Sequence, residues 1–362
     1  MKEAFSVDVT PDYEGLLRCI KREGVPERVH HIELLIDPEI YDAICERFGL
    51  ADELDESDPF FGERRYVALQ LFLGYDYVHC SLQDFEMPIG AHTTEDTATL
   101  AHEAGRSFVD SHQGPVTTWE EFETFPWPDP AAGLTRSLEW YEQHLPENMC
   151  VIGLGGFGHC AEHLTWLMGY ETLCAALYEQ RDLVAAISER LIEIYAAALE
   201  RILQFDRVKI IWTADDMGFR TGTLVSPEHL REFVLPGHKR LADIAHAAGR
   251  PYMLHSCGNI DGIMDDLIDD VKIDALHSFE DNIESVVETK KKYGHRIAVL
   301  GGVDMDFLCR SSEEEVRVRV RGTLEECMPE GGYVLGTGNS VANYVPIENY
   351  LAMLDEGRRF AV

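Results

Sequence analysis

From about residue 150 onward, short apolar runs rich in β-branched residues alternate with longer stretches of helical period. The runs are 150–156, 208–215, 251–257, 273–279, 296–303 and 332–338. Between them, apolar positions recur every three to four residues in 227–248, with Ser226 placed as an N-cap, and again in 283–293 and 312–328. Strand and helix in strict alternation imply right-handed crossovers and a parallel sheet. Two earlier runs, 31–36 and 75–80, bring the strand count to eight. The pattern therefore predicts an α/β fold, a (β/α)8 TIM barrel formed as a single domain over residues 1–362. Residues 1–29, with a helical pattern through 13–22, form an N-terminal helical extension. Residues 81–149 form a long insertion between the second and third strands, stiffened by Pro126-Trp127-Pro128-Asp129-Pro130.

Composition narrows the partners more than the fold. A formal charge of -34 argues against nucleic acid and against an anionic membrane surface. No apolar run approaches the ~18 residues a transmembrane helix needs. Nine cysteines lack the paired spacing of a disulfide framework, and Met1-Lys2-Glu3-Ala4 has no signal-peptide character. A reducing, cytoplasmic setting is expected. A homo-oligomer is compatible with everything in the chain.

In barrels of this kind the reactive groups gather where strands end. The fourth strand ends in Asp215-Asp216-Met217-Gly218, the fifth in His255-Ser256-Cys257 and the sixth in His277-Ser278-Phe279-Glu280. The seventh ends in Gly301-Gly302-Val303-Asp304 and the eighth in Gly336-Thr337-Gly338-Asn339. Residues two apart on a strand share a face, so the His255 imidazole and the Cys257 thiolate can converge on one zinc-sized ion. Each residue also has a plainer reading. Asp215 and Asp216 can cap backbone amides, Asp304 can bond the amides of the next helix, and His277 can be a satisfied core histidine. Phe157, Trp166 and Tyr344 line either a pocket or the core.

The His-x-Cys-Gly at His255, the Asp-Asp-x-Gly turn at Asp215 followed by Ser226-Pro227-Glu228, and the Gly-rich eighth strand resemble the uroporphyrinogen decarboxylase superfamily. Within it they resemble the corrinoid-dependent methyltransferase branch, the methylcobamide:coenzyme M methyltransferases and the methyl-transferring components of O-demethylases. Glu162-His163-Leu164-Thr165-Trp166 and Gly336-Thr337-Gly338-Asn339-Ser340 support the likeness. The decarboxylases' Arg-rich N-terminal motif is missing, because the corresponding stretch reads His30-His31-Ile32-Glu33-Leu34-Leu35-Ile36-Asp37. The resemblance implies zinc on His255 and Cys257. It also implies a second cysteine after the eighth strand, where residues 336–340 contain none. An oxygen donor from Glu280, Asp215 or Asp216 would complete the shell, with Glu280 the favoured ligand.

The function so implied is zinc-dependent transfer of a methyl group between a small methylated substrate, a methoxylated compound, and the cobalt of a separate corrinoid protein that carries the cobalamin. Asp215, Asp216 and Glu280 are the candidate catalytic residues. Glu162, Asp304, Asn339 and Tyr344 are the candidate substrate-binding residues. Three other readings stand beside it: a metal-free, decarboxylase-like enzyme using Asp215 or Asp216, a non-catalytic ligand-binding barrel, and a structural zinc, which normally needs four protein ligands where only two are evident.

Overall fold

The computed structural model describes residues 4–98, 100–102, 105–109, 112 and 114–362. Its strands are β1 (Tyr77–Cys80), β2 (Ala91–Thr94), β3 (Arg106–Val109), β4 (Cys150–Gly153), β5 (Val208–Ala214) and β6 (Gly218–Phe219), followed by β7 (Gly222–Thr223), β8 (Tyr252–His255), β9 (Ala275–His277), β10 (Ala298–Leu300) and β11 (Tyr333–Val334). Seven of them form one sheet in the order β1-β4-β5-β8-β9-β10-β11, and every pairing in it is parallel. The sheet curls into a TIM-barrel-like arrangement, as the alternation of runs implies.

The first expected strand, 31–36, differs from the others. Among the described residues it joins the sheet only through the isolated parallel bridges His31↔Leu335 and Ile36↔Val341. On its other side the Tyr77 hydroxyl accepts from the Glu33 amide at 2.8 Å, so a side chain spans the gap to β1. The chain lies close to its neighbour here. A Cβ on Gly336 would stand 1.8 Å from the Ile32 carbonyl oxygen, a contact only glycine avoids.

The outer helices follow their periodicity. In Arg181–Ile202 the buried residues include Leu183, Val184, Ile187, Leu191, Ile194, Leu199 and Ile202, a single apolar stripe. Ser226 caps the helix Pro227–Phe233 as its position predicts, accepting from the His229 amide. The expected single helix over 227–248 is in fact two, Pro227–Phe233 and Leu235–Ala247. Pro236 has no N–H for the preceding turn, and its ring crowds the carbonyl four residues back.

Between β1 and β4 lies the antiparallel hairpin β2–β3 and the helices Trp119–Thr124 and Arg136–His144. All nine cysteines are free. Among the described residues no helix is long and apolar enough to cross a membrane.

Candidate metal centre

The centre is built where β5 and β8 end side by side. Ala214 pairs with His255, and the Asp215 amide continues the ladder to the His255 carbonyl at 2.9 Å. Beyond that point the two exits remain tied. The Cys257 amide donates to Asp216 Oδ1 (2.8 Å), the Met217 amide to Ser256 Oγ (3.1 Å), and the Gly218 amide to the Cys257 carbonyl (3.2 Å). Gly258 allows the approach. It has φ +85°, and a Cβ there would meet the Gly218 carbonyl at 2.2 Å.

This zipper brings Asp216, His255 and Cys257 together, with ligand atoms all within 4.8 Å of one another. His255 Nε2 is 3.4 Å from Cys257 Sγ and 3.6 Å from Asp216 Oδ1. Donors bound 2.0–2.3 Å from a tetrahedral zinc stand roughly 3.3–3.6 Å apart, and both separations from His255 match that spacing. His255 is buried, whereas the Asp216 side chain is 42% exposed, so the site is walled on one side and open on the other.

The electrostatics suit a cation. Burial, reinforced by the Asp216 carboxylate, pushes the Cys257 thiol up to about 12. Ser278 Oγ (3.6 Å) and Asn339 Nδ2 (3.2 Å) donate to the sulfur and pull the other way. A thiol so placed becomes a thiolate only when positive charge arrives beside it. Burial also works to raise the Asp216 carboxyl, but the His255 ring and the Cys257 amide outweigh it and hold it below the usual range. Behind His255, its Nδ1 lies 2.7 Å from Nδ1 of the fully buried His277. Burial holds the His277 ring well below the usual histidine range.

The other expected site residues divide clearly. Asp215 points away from the trio. Its oxygens accept from the Ala161 amide (2.8 Å), the Glu162 amide (2.9 Å) and His238 Nε2 (2.8 Å), anchoring the start of the helix Cys160–Met168. A second group, Cys160, Asp215 and His238, also has its ligand atoms within 4.8 Å, but it is wholly buried. Asp304 takes the capping role, accepting from the Phe307 amide (3.0 Å) and the Asp281 amide (2.9 Å). Glu280 lies outside the trio. Ser278 has φ +99°, and Glu280 then enters a turn closed by the Glu284 amide on its carbonyl (3.0 Å), which leaves Asp216 as the oxygen donor of the cluster.

Asn339 touches the centre through Cys257. It also lines a cleft of about 680 Å³ together with Arg106, Phe279, Glu280, Asp304 and Tyr344. Tyr344 is half exposed, with the Arg106 guanidinium 5.5 Å above its ring. Arg106 belongs to β3, so the insertion contributes to the mouth. Glu162 pairs with His159 at 2.9 Å. Burial raises the Glu162 carboxyl; burial lowers His159, but Glu162 more than compensates and the ring ends above its usual value. His159 and Arg106 are the residues that motif reading misses, while His277, read as a satisfied core histidine, is buried and bonded to His255. For His159 the available signal is its place just after the Gly-rich exit of the third strand.

Fold and site together define a TIM-barrel-like protein with a nitrogen, sulfur and oxygen donor set at the ends of two adjacent strands. Residues 110–360 match the uroporphyrinogen decarboxylase (URO-D) family, and the chain belongs to it. It is 31% identical over 144 residues to a methylated-thiol–coenzyme M methyltransferase of Methanosarcina mazei, covering 40% of this chain and 36% of that protein. It is 29% identical over 133 residues to the methylcobamide:CoM methyltransferase MtaA of Methanosarcina barkeri, 36% of each chain. The matches thus span little more than a third of those curated relatives. A solved methyltransferase from Methanosarcina mazei shares the fold, with TM-score 0.69 over 96% of this chain and 98% of its own, at 18% identity.

Proposed function

We propose that this chain is a zinc-dependent methyltransferase that moves a methyl group between a small methoxylated substrate and the cobalt of a separate corrinoid protein. The observation that carries the reading is the convergence of Asp216, His255 and Cys257 at a spacing that fits zinc. Zinc held by these three would supply a Lewis acid for the heteroatom that bears the methyl group. Three protein donors would leave a fourth position open, as catalytic rather than structural sites require. The names of the Methanosarcina relatives specify methylcobamide, methylated thiol and coenzyme M, which supports a corrinoid partner and methyl transfer as the reaction.

The chain's own residues serve the rest. Asn339 and Ser278 hold the Cys257 sulfur by donating to it. The cleft beside Asn339 is large enough for a small aromatic ether, and Phe279 and Tyr344 offer it aromatic surface. The hydrogen-bonded His159–Glu162 pair keeps a proton near Asp216 for the departing oxygen. One thiolate in place of two makes a harder acid, which favours an oxygen-borne methyl over a thioether.

The test uses the full chain. Protein purified without added metal and then titrated with zinc is expected to bind it stoichiometrically, and Cys257→Ser to lose it. Mixed with reduced corrinoid protein and a panel of methoxylated compounds, methylamines and methylthiols, the chain is expected to convert the Co(I) spectrum to the methylated form with an ether. No zinc uptake would leave the metal-free reading. Conversion only with a thioether would overturn the choice of oxygen.

A further inference from the structure

Resting on the zinc reading of the site, we infer that His277 is the positioning residue for the metal ligand His255, fixing the tautomer that leaves Nε2 free to bind the ion.

The argument begins at the backbone. His255 on β8 and His277 on β9 are direct partners in the parallel register, so their rings lie side by side within the barrel. The centroids are 4.9 Å apart, and the two Nδ1 atoms are 2.7 Å apart. At that distance one nitrogen donates a proton and the other accepts it.

The far side of His277 decides which. Its Nε2 lies 3.2 Å from the Thr337 carbonyl oxygen, an atom that can only accept. Nε2 therefore carries the hydrogen. Among the described residues no carboxylate bonds to this ring, whose hydrogen-bond partners are His255 and Thr337, and its edge contact is with Trp212 at 5.2 Å. An imidazolium sealed there would be a buried charge without a counterion. The ring is thus neutral, its Nδ1 is the acceptor, and the hydrogen between the rings belongs to His255 Nδ1. That assignment puts the remaining lone pair of His255 on Nε2, the atom facing Cys257 and Asp216. Ligation needs that lone pair.

Two features show that the surroundings are built around this contact. The Thr337 carbonyl is held in place from three directions. It accepts from the Gly302 amide at 3.1 Å, while the Thr337 amide and hydroxyl both bond the buried Glu33 carboxyl. Gly301, with φ +78°, clears the space. A Cβ there would stand 2.8 Å from His277 Nε2 and 2.3 Å from the Thr337 oxygen, closing the gap the hydrogen bond occupies.

The test compares His277→Leu with His277→Asn in the full chain, using competition against a zinc chelator. Asparagine places an amide oxygen near the position of Nδ1 and can accept from His255; leucine fills space and accepts nothing. His277→Leu is expected to weaken zinc binding ~10–100-fold, and His277→Asn to recover most of the loss. A leucine variant that binds as tightly as wild type, or an asparagine variant that loses as much as leucine, overturns the inference while leaving the zinc reading intact. Histidine-selective ¹⁵N NMR of the unsubstituted, metal-free protein decides the case independently, including if the leucine variant does not fold. His255 is expected to carry a proton on Nδ1, and a ring protonated on Nε2 alone refutes the proposal. Failure of wild type to bind zinc removes the zinc reading instead, and the tautomer measurement still judges the His255–His277 contact.

Discussion

Asp215 and Asp216 are neighbours in the chain with opposite surroundings, and neutralising each in turn separates folding from metal binding. Asp215 is fully buried, with three donors converging on its two oxygens. Asp215→Asn leaves one oxygen for those donors. Whichever way the amide is turned, its N–H2 group faces either the Ala161 or the Glu162 amide, so one backbone N–H is stranded without water. A buried unsatisfied donor costs ~1–3 kcal/mol, and the bonds that survive lose their charge assistance. Loss of an anion at the helix start adds up to ~2 kcal/mol. The expected total is roughly 3–5 kcal/mol, the range for breaking a buried charged pair. Asp216→Asn keeps an oxygen for the Cys257 amide in a half-exposed setting and is expected to cost less than ~1 kcal/mol. Its zinc affinity should fall by more than the ~10–100-fold typical of partners one shell further out. Urea denaturation of the metal-free proteins, followed by circular dichroism, reads the first effect; chelator competition reads the second. A wild-type midpoint for Asp215→Asn, or wild-type zinc affinity for Asp216→Asn, would refute the division of roles.

Three further outcomes follow from the same geometry. Burial raises the Glu33 carboxyl to about 8, only partly countered by its bonds from Thr337. A carboxyl with a raised folded-state pKa stabilises fully below its unfolded value and loses that contribution as pH climbs through about 8. Glu33→Gln should therefore match wild type near pH ~5 and exceed it near pH ~9, by roughly 5 kcal/mol as an upper bound; equal differences in melting at both pH values would count against this. Asp304→Ala removes a helix cap and should destabilise by ~1–2 kcal/mol in the same denaturation assay, whereas Asp304→Asn should cap nearly as well. If Asp304→Asn instead abolishes methyl transfer at unchanged stability, the carboxylate acts on substrate. Gly258→Ala forces a Cβ against Gly218 and should lift the Cys257 loop, seen as weaker cobalt(II)–thiolate absorption; an unchanged spectrum would show that the loop tolerates the contact.

Much of the frame is legible in the chain because it rests on local periodicity. Alternating runs reveal the parallel sheet, and Ser226 and Ser312 mark helix starts that the structure keeps, the latter as a capping box with Glu315. The pairing of His255 with Cys257 is legible for the same reason: a two-residue repeat puts both at one strand exit. The bridge-only first strand is not legible, since nothing in 31–36 announces how closely Gly336 approaches it. The helix break at Pro236 had a signal in the proline itself.

What the chain could not decide alone is which way a side chain turns once its strand ends. Asp215 and Asp216 are chemically identical, yet one seals a helix start and the other faces His255, because the Asp216–Cys257 bond between neighbouring exits sets their directions. Glu280 and Asp304 are diverted by the turn and cap they form, and His277 gains its meaning only from the Thr337 carbonyl sixty residues on. Periodicity is a property of adjacent residues, and so it survives in sequence. Donor convergence depends on segments brought together by the curl of the sheet, and only the folded barrel supplies it.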